Sequence, residues 1–472
     1  MTDKQHKTRW LALLALGLSL FAGVVDSSVV NIATPAIQDE FNTSESQIVV
    51  LVTVYSLVSA SFILLFGKVG SKYGHRLLQA SGTGLFGLAS LIIALSPSFW
   101  FMSGMRAVAG LAAAMASVSG LALIHSIFKD KDRPLAFGIW GAIASLGVAV
   151  GPILGGLAVT YFSWRLAFLI NVPVCIFAVI GSYLWISEVK HEHVGSIDFV
   201  GAAVIGFGFF TIILALILGS NLGWWTAKTE LSFFGISPSP YLLVFGLVLI
   251  FVLYPHWARF VEVHGKEPIF NLMLLELHSF RGGILASFAR RIAQFAPIYA
   301  LTIYLEETAN WSASETGLVF LVSAIGGVIA SLISGWLANR WGSKPVVITG
   351  KVIMATSILW VLVIIDENIS LDMLLGPVFL FGISIGLAAS QLTTVIMTDI
   401  PLSSAGDASA ANSSIARVSN SFSAVFVGIL IVISINDVLI MALFFVFIAL
   451  AFAFTLPNVK KGGGVKTTGK GS

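Results

Sequence analysis

The chain has 472 residues, 57% of them apolar and only 10% charged, with a net charge of +3 and a mean hydropathy of +0.95. An ordinary soluble domain carries roughly 25% charged residues, and a soluble core of this size could not bury so much apolar surface and still cover itself with polar groups. A soluble enzyme, a nucleic-acid binder and a disordered chain are thereby set aside, and long unbroken apolar runs replace the alternating segments of a β-barrel.

The composition predicts an all-α polytopic membrane protein. A membrane helix needs about 20 apolar residues, and fourteen runs meet that length. Six lie near 10–33, 47–66, 77–96, 99–126, 135–160 and 165–187. The first lacks a small-residue cleavage site and reads as a retained span rather than a signal peptide. Two more lie near 198–219 and 240–261, and six follow near 281–305, 313–338, 345–365, 372–398, 411–434 and 437–457. The expected organisation is a six-helix bundle over 1–197, two inserted helices with a linker over 198–280, a second six-helix bundle over 281–457 and a flexible basic tail over 458–472. The single cysteine, Cys175, lies inside an apolar run and rules out an intramolecular disulfide. No metal-ligand spacing of Cys or His appears.

Lys and Arg set the expected orientation. One set of connections carries Lys4, Lys7 and Arg9; Lys68, Lys72 and Arg76; Lys129, Lys131 and Arg133; Lys190; Arg259 and Lys266; Arg340 and Lys344; and the basic tail. The alternate connections carry almost none, with Arg165 and Lys228 breaking the pattern. Both termini are expected in the cytoplasm, in a bacterial inner membrane or another plasma membrane. The segment GKVGSKYGHR at 67–76 follows the second span, and GWLANRWGSK at 335–344 follows the tenth. This internal repeat predicts two related six-helix units, a common plan among secondary transporters.

Asp26 is the sharpest single residue. It lies at membrane depth in VVDSSVVNIATPAI, where a carboxylate is costly and faces a cavity or a partner, and it can bind and release a proton as its surroundings change. Ser28 and Asn31 fall at spacings that help line one side with it. Pro35 is expected to end the regular helix. The structural alternative for Asp26 is a hydrogen bond to a neighbouring helix. The other membrane-depth ionisable groups are mostly basic: Arg106, Arg290 and Arg291 near Gln294, and Arg417. Each needs a carboxylate, a carbonyl, water or an anionic ligand. Asp26 and Arg106 form a candidate pair, whereas Arg290 and Arg291 stand open between a cavity role and snorkelling to the basic face. His125 is expected at the interface beside the 129–133 loop. In LGVAVGPILGG, Gly147, Gly151, Gly155 and Gly156 let another helix approach, and Pro152 removes a backbone donor and bends the helix. In the repeated loops, Gly67, Gly70 and Gly74 with Gly335 and Gly342 permit tight turns. Ser71, Lys72 and Arg76, matched by Asn339 and Arg340, are placed to engage helix ends or lipid phosphates.

No phosphate-binding GxxxxGKS loop is present, so ATP is not expected to drive transport. No arginine ladder, channel-filter repeat or haem-ligand cluster appears.

With these motifs in place, the chain resembles the major facilitator superfamily and, within it, the fourteen-helix drug:H+ antiporter branch. VDSSVVNIATP at 25–35, GKVGSKYGHR at 67–76, MRAVAGLAAA at 105–114, LGVAVGPILGG with SWRLAFLINVP, and Asn412 with Arg417 carry the resemblance. It implies two six-helix bundles around a central cavity plus two extra helices. Asp26 would be the proton-linked carboxylate, Arg106 the arginine that tunes coupling, and Gly147 to Gly156 a hinge. The family's loop motif usually has Asp where Ser71 and Asn339 stand.

The function expected from this reading is proton-coupled export of amphipathic small molecules by alternating access. The proton gradient would drive it, with no cofactor and no catalytic site. Protons, small amphiphiles and membrane lipids are the expected partners, nucleic acid is not, and the chain is expected to act as a monomer. Two alternatives stand beside it. One is the same fold exporting a dedicated lipid, siderophore or other anionic metabolite, with Arg290, Arg291 and Arg417 as the anion site. The other is a membrane sensor or scaffold that does not transport.

Overall fold

The protein's structure is a computed structural model and describes residues 3–129, 132–189, 196–224, 236–366, 369–401, 404–431 and 434–458. Apolar segments in lipid must satisfy their backbone polar groups internally, and the chain does so with helices. The helices of the first part are α1 (Asp3–Phe41), α2 (Glu45–Tyr73), α3 (His75–Ala94), α4 (Phe99–Ile127), α5 (Asp132–Tyr161), α6 (Trp164–Leu169) and α7 (Asn171–Trp185). Then come α8 (Phe199–Leu222), α9 (Pro238–Val248) and α10 (Tyr254–Val263), the last two joined by a π-helical turn at Leu249–Leu253. The remainder is α11 (His278–Ile303), α12 (Ala313–Trp341), α13 (Ser343–Ile364), α14 (Leu371–Ile396), α15 (Ala405–Leu430) and α16 (Ile435–Thr455).

Among the described residues, twelve segments are long and apolar enough to cross a membrane. The runs at 281–305 and 411–434 are not among them. Their helices, α11 and α15, carry Arg281, Arg290 and Arg291, and Asp407, Arg417 and six serines. Both nonetheless pack into the body, since Ala289, Ile292 and Ala293 of α11 and Ala408 and Ala410 of α15 are buried. They trade apolar for polar side chains because their surroundings are protein rather than lipid. Large apolar side chains elsewhere point outward, as with Phe177, Phe251 and Val363, which suits a lipid solvent.

Pro35 does not end α1. The helix runs on to Phe41. A proline forfeits one backbone bond, and neighbouring helices let a membrane helix tolerate that loss. The turn comes at Asn42, whose φ of 49° is a left-handed conformation that asparagine accepts.

The internal repeat extends beyond the basic loops. α2 opens with a capping box in which Ser44 and Gln47 cap each other's backbone, and α12 opens with the same device at Ser312 and Glu315. Both helices have 29 residues and both stop at a positive-φ glycine, Gly74 (φ 115°) and Gly342 (φ 97°). The glycines are needed twice over. A Cβ on Gly74 would lie 2.4 Å from the Glu188 carboxyl carbon, and one on Gly342 would lie 1.9 Å from Asn458 Oδ1. The Glu188 carboxylate accepts the Arg76 and Leu77 backbone N–H groups at 2.9 and 3.2 Å and so caps the start of α3.

Three large cores show how the halves meet. One joins α1, α2, α4 and α5 to α11, α13, α14 and α15, with members such as Leu64, Phe128, Phe137, Val347, Met397 and Leu456. It lies at the end of the molecule that carries the Lys- and Arg-rich loops. The second is built only from α11 to α16 and their connections, the third only from α1 to α7. These two occupy the opposite end. The halves are therefore fused at the basic end and hold separate cores at the other. The pair α8 and α10 is fixed to the linker by Asp198, which caps Gly201 N–H at 2.8 Å and accepts Trp257 Nε1–H at 3.0 Å and Ile269 N–H at 3.3 Å. The Tyr254 hydroxyl donates to Phe270 O at 2.6 Å and accepts Phe270 N–H at 2.8 Å.

Candidate functional site

Asp26 sits midway along α1 and is 1% exposed. Its Oδ2 accepts from Arg106 Nη1 of α4 at 2.6 Å, and its Oδ1 accepts from Asn171 Nδ2 at the start of α7 at 3.3 Å. Arg106 is also buried, and its guanidinium lies 4.6 Å from the centroid of the Tyr55 ring on α2. A buried charge pair offsets its desolvation cost only with close geometry and extra hydrogen bonds, and Asn171 supplies one. The predicted pair is thus in contact. Asn171 lay inside the quoted SWRLAFLINVP segment without an assigned role; an amide opening a helix directly after an apolar run was the available signal.

Ser28 does not join Asp26. Its hydroxyl donates to Val24 O at 3.3 Å, and its Cβ faces Gly151 of α5, where an added Cβ would approach to 2.7 Å. Gly147 and Gly155 are crowded in the same way by Val24 and Val29, so three of the four predicted glycines let α1 and α5 touch. Gly156 is different: an added Cβ there meets nothing within 4 Å. The Asn31 and Pro152 side chains, and Lys228, lie outside the described residues.

The second half holds a different set. Arg290 is 3% exposed, and Nη1 donates to Gln294 Oε1 one turn along α11. That depth excludes snorkelling for Arg290. Arg291 and Arg417 are half-buried, and the Arg417 guanidinium lies 5.9 Å from the centroid of the same Tyr55 ring. Asn412 is buried on α15. Lys351 of α13, which the sequence analysis passed over, is completely buried, and its Nζ has no hydrogen-bond partner. A lone Lys in the apolar run 345–365 was the signal. Lys351 feels the charge of Arg290, Arg290 that of Arg291, and Arg291 that of Arg417. Among the described residues no carboxylate pairs with any of the four.

The basic loops close the fused end. Ser71 donates to Gly67 O at 3.1 Å and contacts His75, while a Cβ on Gly406 would lie 2.5 Å from Gly67 O and 2.6 Å from Ser71 Oγ. A Cβ on Gly70 would meet His75 Nδ1 at 2.4 Å. The α2 end and the α15 start therefore pack backbone against backbone. Lys68 reaches Asp407 of α15 and Glu267 of the linker, each at 3.3 Å. With Ser71 where the family's motif has Asp, this pair supplies the ionic contact between halves. Arg76 pairs with Glu188 at 3.5 Å, and Lys72 lies over Tyr73. In the second copy, Gly335 fits against the Leu135 backbone of α5, where a Cβ would come within 2.6 Å of its Cα. Arg340 lies over Trp336, and Asn339 is half-buried. His125 lies beside the basic loop, where Arg133 Nη2 donates to its carbonyl at 3.4 Å, but its side chain is enclosed by protein. It is 2% exposed and its Nε2 bonds Ile400 O at 3.3 Å, across the seam between halves. Arg165, an exception to the charge pattern, is held by Glu40 at 2.6 Å.

A multi-pass helical membrane protein with two packed halves and a charged interior has the architecture of a secondary transporter. The chain belongs to the Major Facilitator Superfamily, whose sequence profile matches residues 16–276 and 283–471. It is 30% identical over 407 residues to the multidrug resistance protein Stp of Mycobacterium tuberculosis (strain CDC 1551 / Oshkosh), covering 86% of this chain and 72% of that one. It is 27% identical over 396 residues to the riboflavin transporter RibZ of Clostridioides difficile (strain 630), covering 84% and 82%. The crystal structure of the human organic anion transporter MFSD10 (TETRAN) matches its fold with a TM-score of 0.68, over 96% of this chain and all of that one, at 12% identity. The chain is thus an integral membrane transporter of this superfamily, with a multidrug resistance protein among its relatives.

Proposed function

We propose that the protein is a proton-coupled antiporter that exports amphipathic small molecules across the plasma membrane by alternating access. In this reading α11 and α15 also cross the bilayer, giving fourteen spans. Two six-helix bundles, 1–197 and 281–457, flank an inserted pair, and both termini are cytoplasmic. The observation that carries the reading is the fully buried Asp26–Arg106 pair at 2.6 Å. A membrane-embedded carboxylate held by one cation and one amide can exchange its partner for a proton. Neutralising Asp26 would release Arg106 toward Tyr55, and so signal across the seam to Arg417. The fused core at the basic end and the separate cores at the other support a state closed to the cytoplasm. In it Asp26 would take its proton from outside; release would follow opening of the seam at Gly67, Ser71 and Gly406. The apolar, aromatic interior would take the substrate's hydrocarbon portion.

The test is proton release from purified protein in detergent on adding cationic, neutral and anionic amphiphiles, wild type beside Asp26→Asn. Release from wild type that disappears in the variant is expected. Release unchanged in the variant, or absent from both across the panel, would sink the antiporter reading.

A further inference from the structure

Among the described residues, no carboxylate pairs with the buried and half-buried cations of the second half. Lys351 is wholly buried with Nζ unbonded, and Arg290, Arg291 and Arg417 each keep an unbonded Nε. Gln294 accepts from Arg290, and Arg417 lies against the Tyr55 ring, which satisfies only part of this set. Like charges gathered in a low-dielectric interior repel one another, and each unmet donor carries a desolvation cost. A fold that keeps such a group stabilises it at some stage of its cycle with something absent from the chain itself. Its chemistry is fixed by the donors. Guanidinium and ammonium groups offer only N–H donors, so the complement is an acceptor-only anion such as a carboxylate, sulfonate or phosphate. About two to three helical turns beyond Arg290 and about two beyond Lys351, a small apolar pocket is lined by Pro297, Leu301, Ser357, Ile358 and Phe381. Arg290, Arg291 and Lys351 thus share with this apolar pocket the same two helices, α11 and α13.

We propose that Arg290, Arg291, Lys351 and Arg417 form an anion subsite that binds the charged head of an anionic amphiphile. The proposal rests on the transporter reading and names the charge class of its cargo. Arg417 and Arg106 face the same Tyr55 ring. An anion drawing Arg417 toward the subsite would change what Tyr55 offers Arg106, and through it the hold on Asp26.

The experiment uses the full chain in phosphatidylcholine nanodiscs. Three matched probes, naphthalenesulfonate, naphthalenemethanol and naphthylmethyl-trimethylammonium, are titrated by equilibrium dialysis against empty discs. The sulfonate is expected to bind about tenfold more tightly than the other two, a typical value for one charge-assisted contact set. Lys351→Met and Arg417→Gln are each expected to remove most of that preference, while Lys351→Arg retains it. Thermal midpoints identify any variant that fails to fold, and two independent variants keep the test decisive. Competition by added phosphatidylglycerol assigns the bound head to a lipid; no competition assigns it to a free organic anion. Equal binding of the three probes, or a sulfonate preference that survives both variants, overturns the subsite. Sulfonate preference without proton release leaves the subsite standing and removes the antiporter reading. Proton release with cationic probes alone does the reverse.

Discussion

The two halves of the transporter handle buried charge in opposite ways. In the first, Arg106 meets Asp26 at 2.6 Å and Asn171 completes the set. In the second, Arg290, Arg291, Lys351 and Arg417 meet no carboxylate among the described residues, and Lys351 Nζ meets no acceptor. The scaffold is otherwise repeated, down to the capping boxes of α2 and α12 and the positive-φ glycines that end them. A duplicated frame has thus been given two electrostatic interiors. One is complete in itself, and in the proposed mechanism it exchanges a partner for a proton. The other leaves donors unbonded, and in the proposed subsite an anion meets them.

The largest test of this contrast is one of stability. Removing one member of a buried pair strands the other charge, at a typical cost of about 3–5 kcal/mol. Arg106→Ala is therefore expected to lower the thermal midpoint in detergent sharply. Lys351→Met removes a stranded charge of similar length and is expected to leave the midpoint unchanged or raise it. Equal losses from both variants would erase the distinction between the halves.

The next effect concerns the seam. Gly406 lies so close to Gly67 O and Ser71 Oγ that any Cβ must push them apart. Overpacking of this kind typically costs about 1–3 kcal/mol. Gly406→Val is expected to weaken closure at the basic end without touching either charge set. Ser409, fully buried and donating to Val118 O at 2.7 Å across the same seam, provides a reporter. A cysteine in its place should react slowly with a membrane-impermeant maleimide in the parent and faster in the Gly406→Val background. No change in labelling would mean that the seam is not where the halves part.

A milder change acts on the ionic contact. Asp407→Asn keeps the shape of the side chain and removes the charge that Lys68 meets at 3.3 Å. Lys68 retains Glu267, so a loss of about 1 kcal/mol is expected, comparable to one ordinary hydrogen bond. Double substitution with Glu267→Gln should cost more than the two single losses added, because Lys68 is then left alone. Simple additivity would show that the two carboxylates do not share it.

Much of this arrangement could be read from the residues. Long apolar runs dictate helices because lipid offers no alternative partner for the backbone, and a carboxylate in such a run, Asp26, identifies itself. The meeting of Asp26 with Arg106 followed from there being so few opposite charges at that depth. What stayed hidden depends on contacts distant in sequence. Asn171 and Tyr55 are common residue types whose roles come only from the helices beside them. Lys351 is a lone lysine in an apolar run until α14 and α16 pack on α13 and bury it. Pro35 signalled a helix end, but packing outweighed the local penalty and α1 continued to Phe41. Polar α11 and α15 looked like spans by position, while their composition reflects an interior setting. Asp407 lay outside every motif, although it takes up the contact left open by Ser71.

The smallest expected effect lies outside both charged interiors, and it separates surface from buried pairing. Glu40, past the membrane span of α1, accepts from Arg165 Nη1 and Nη2 at 2.7 and 2.6 Å and from Trp164 Nε1 at 2.7 Å. The Arg165 guanidinium holds its carboxyl below the ordinary value of 4.5, against a smaller opposing effect of burial. A carboxyl lowered by folding stabilises the protein above its unfolded value, and that contribution fades as pH falls through the folded value. The window is therefore acidic, below about pH 4.5. Glu40 and Arg165 side chains are 40% and 34% exposed, so solvent screens the pair and its worth is at most about 1 kcal/mol. Glu40→Gln should lower the thermal midpoint slightly at neutral pH, and the gap to wild type should close as pH drops through that window. A gap that persists at low pH would assign the loss to the Trp164 contact, which a glutamine oxygen only partly replaces. A gap as large as that of Arg106→Ala would mean that exposure, rather than pairing, fails to distinguish the two sites.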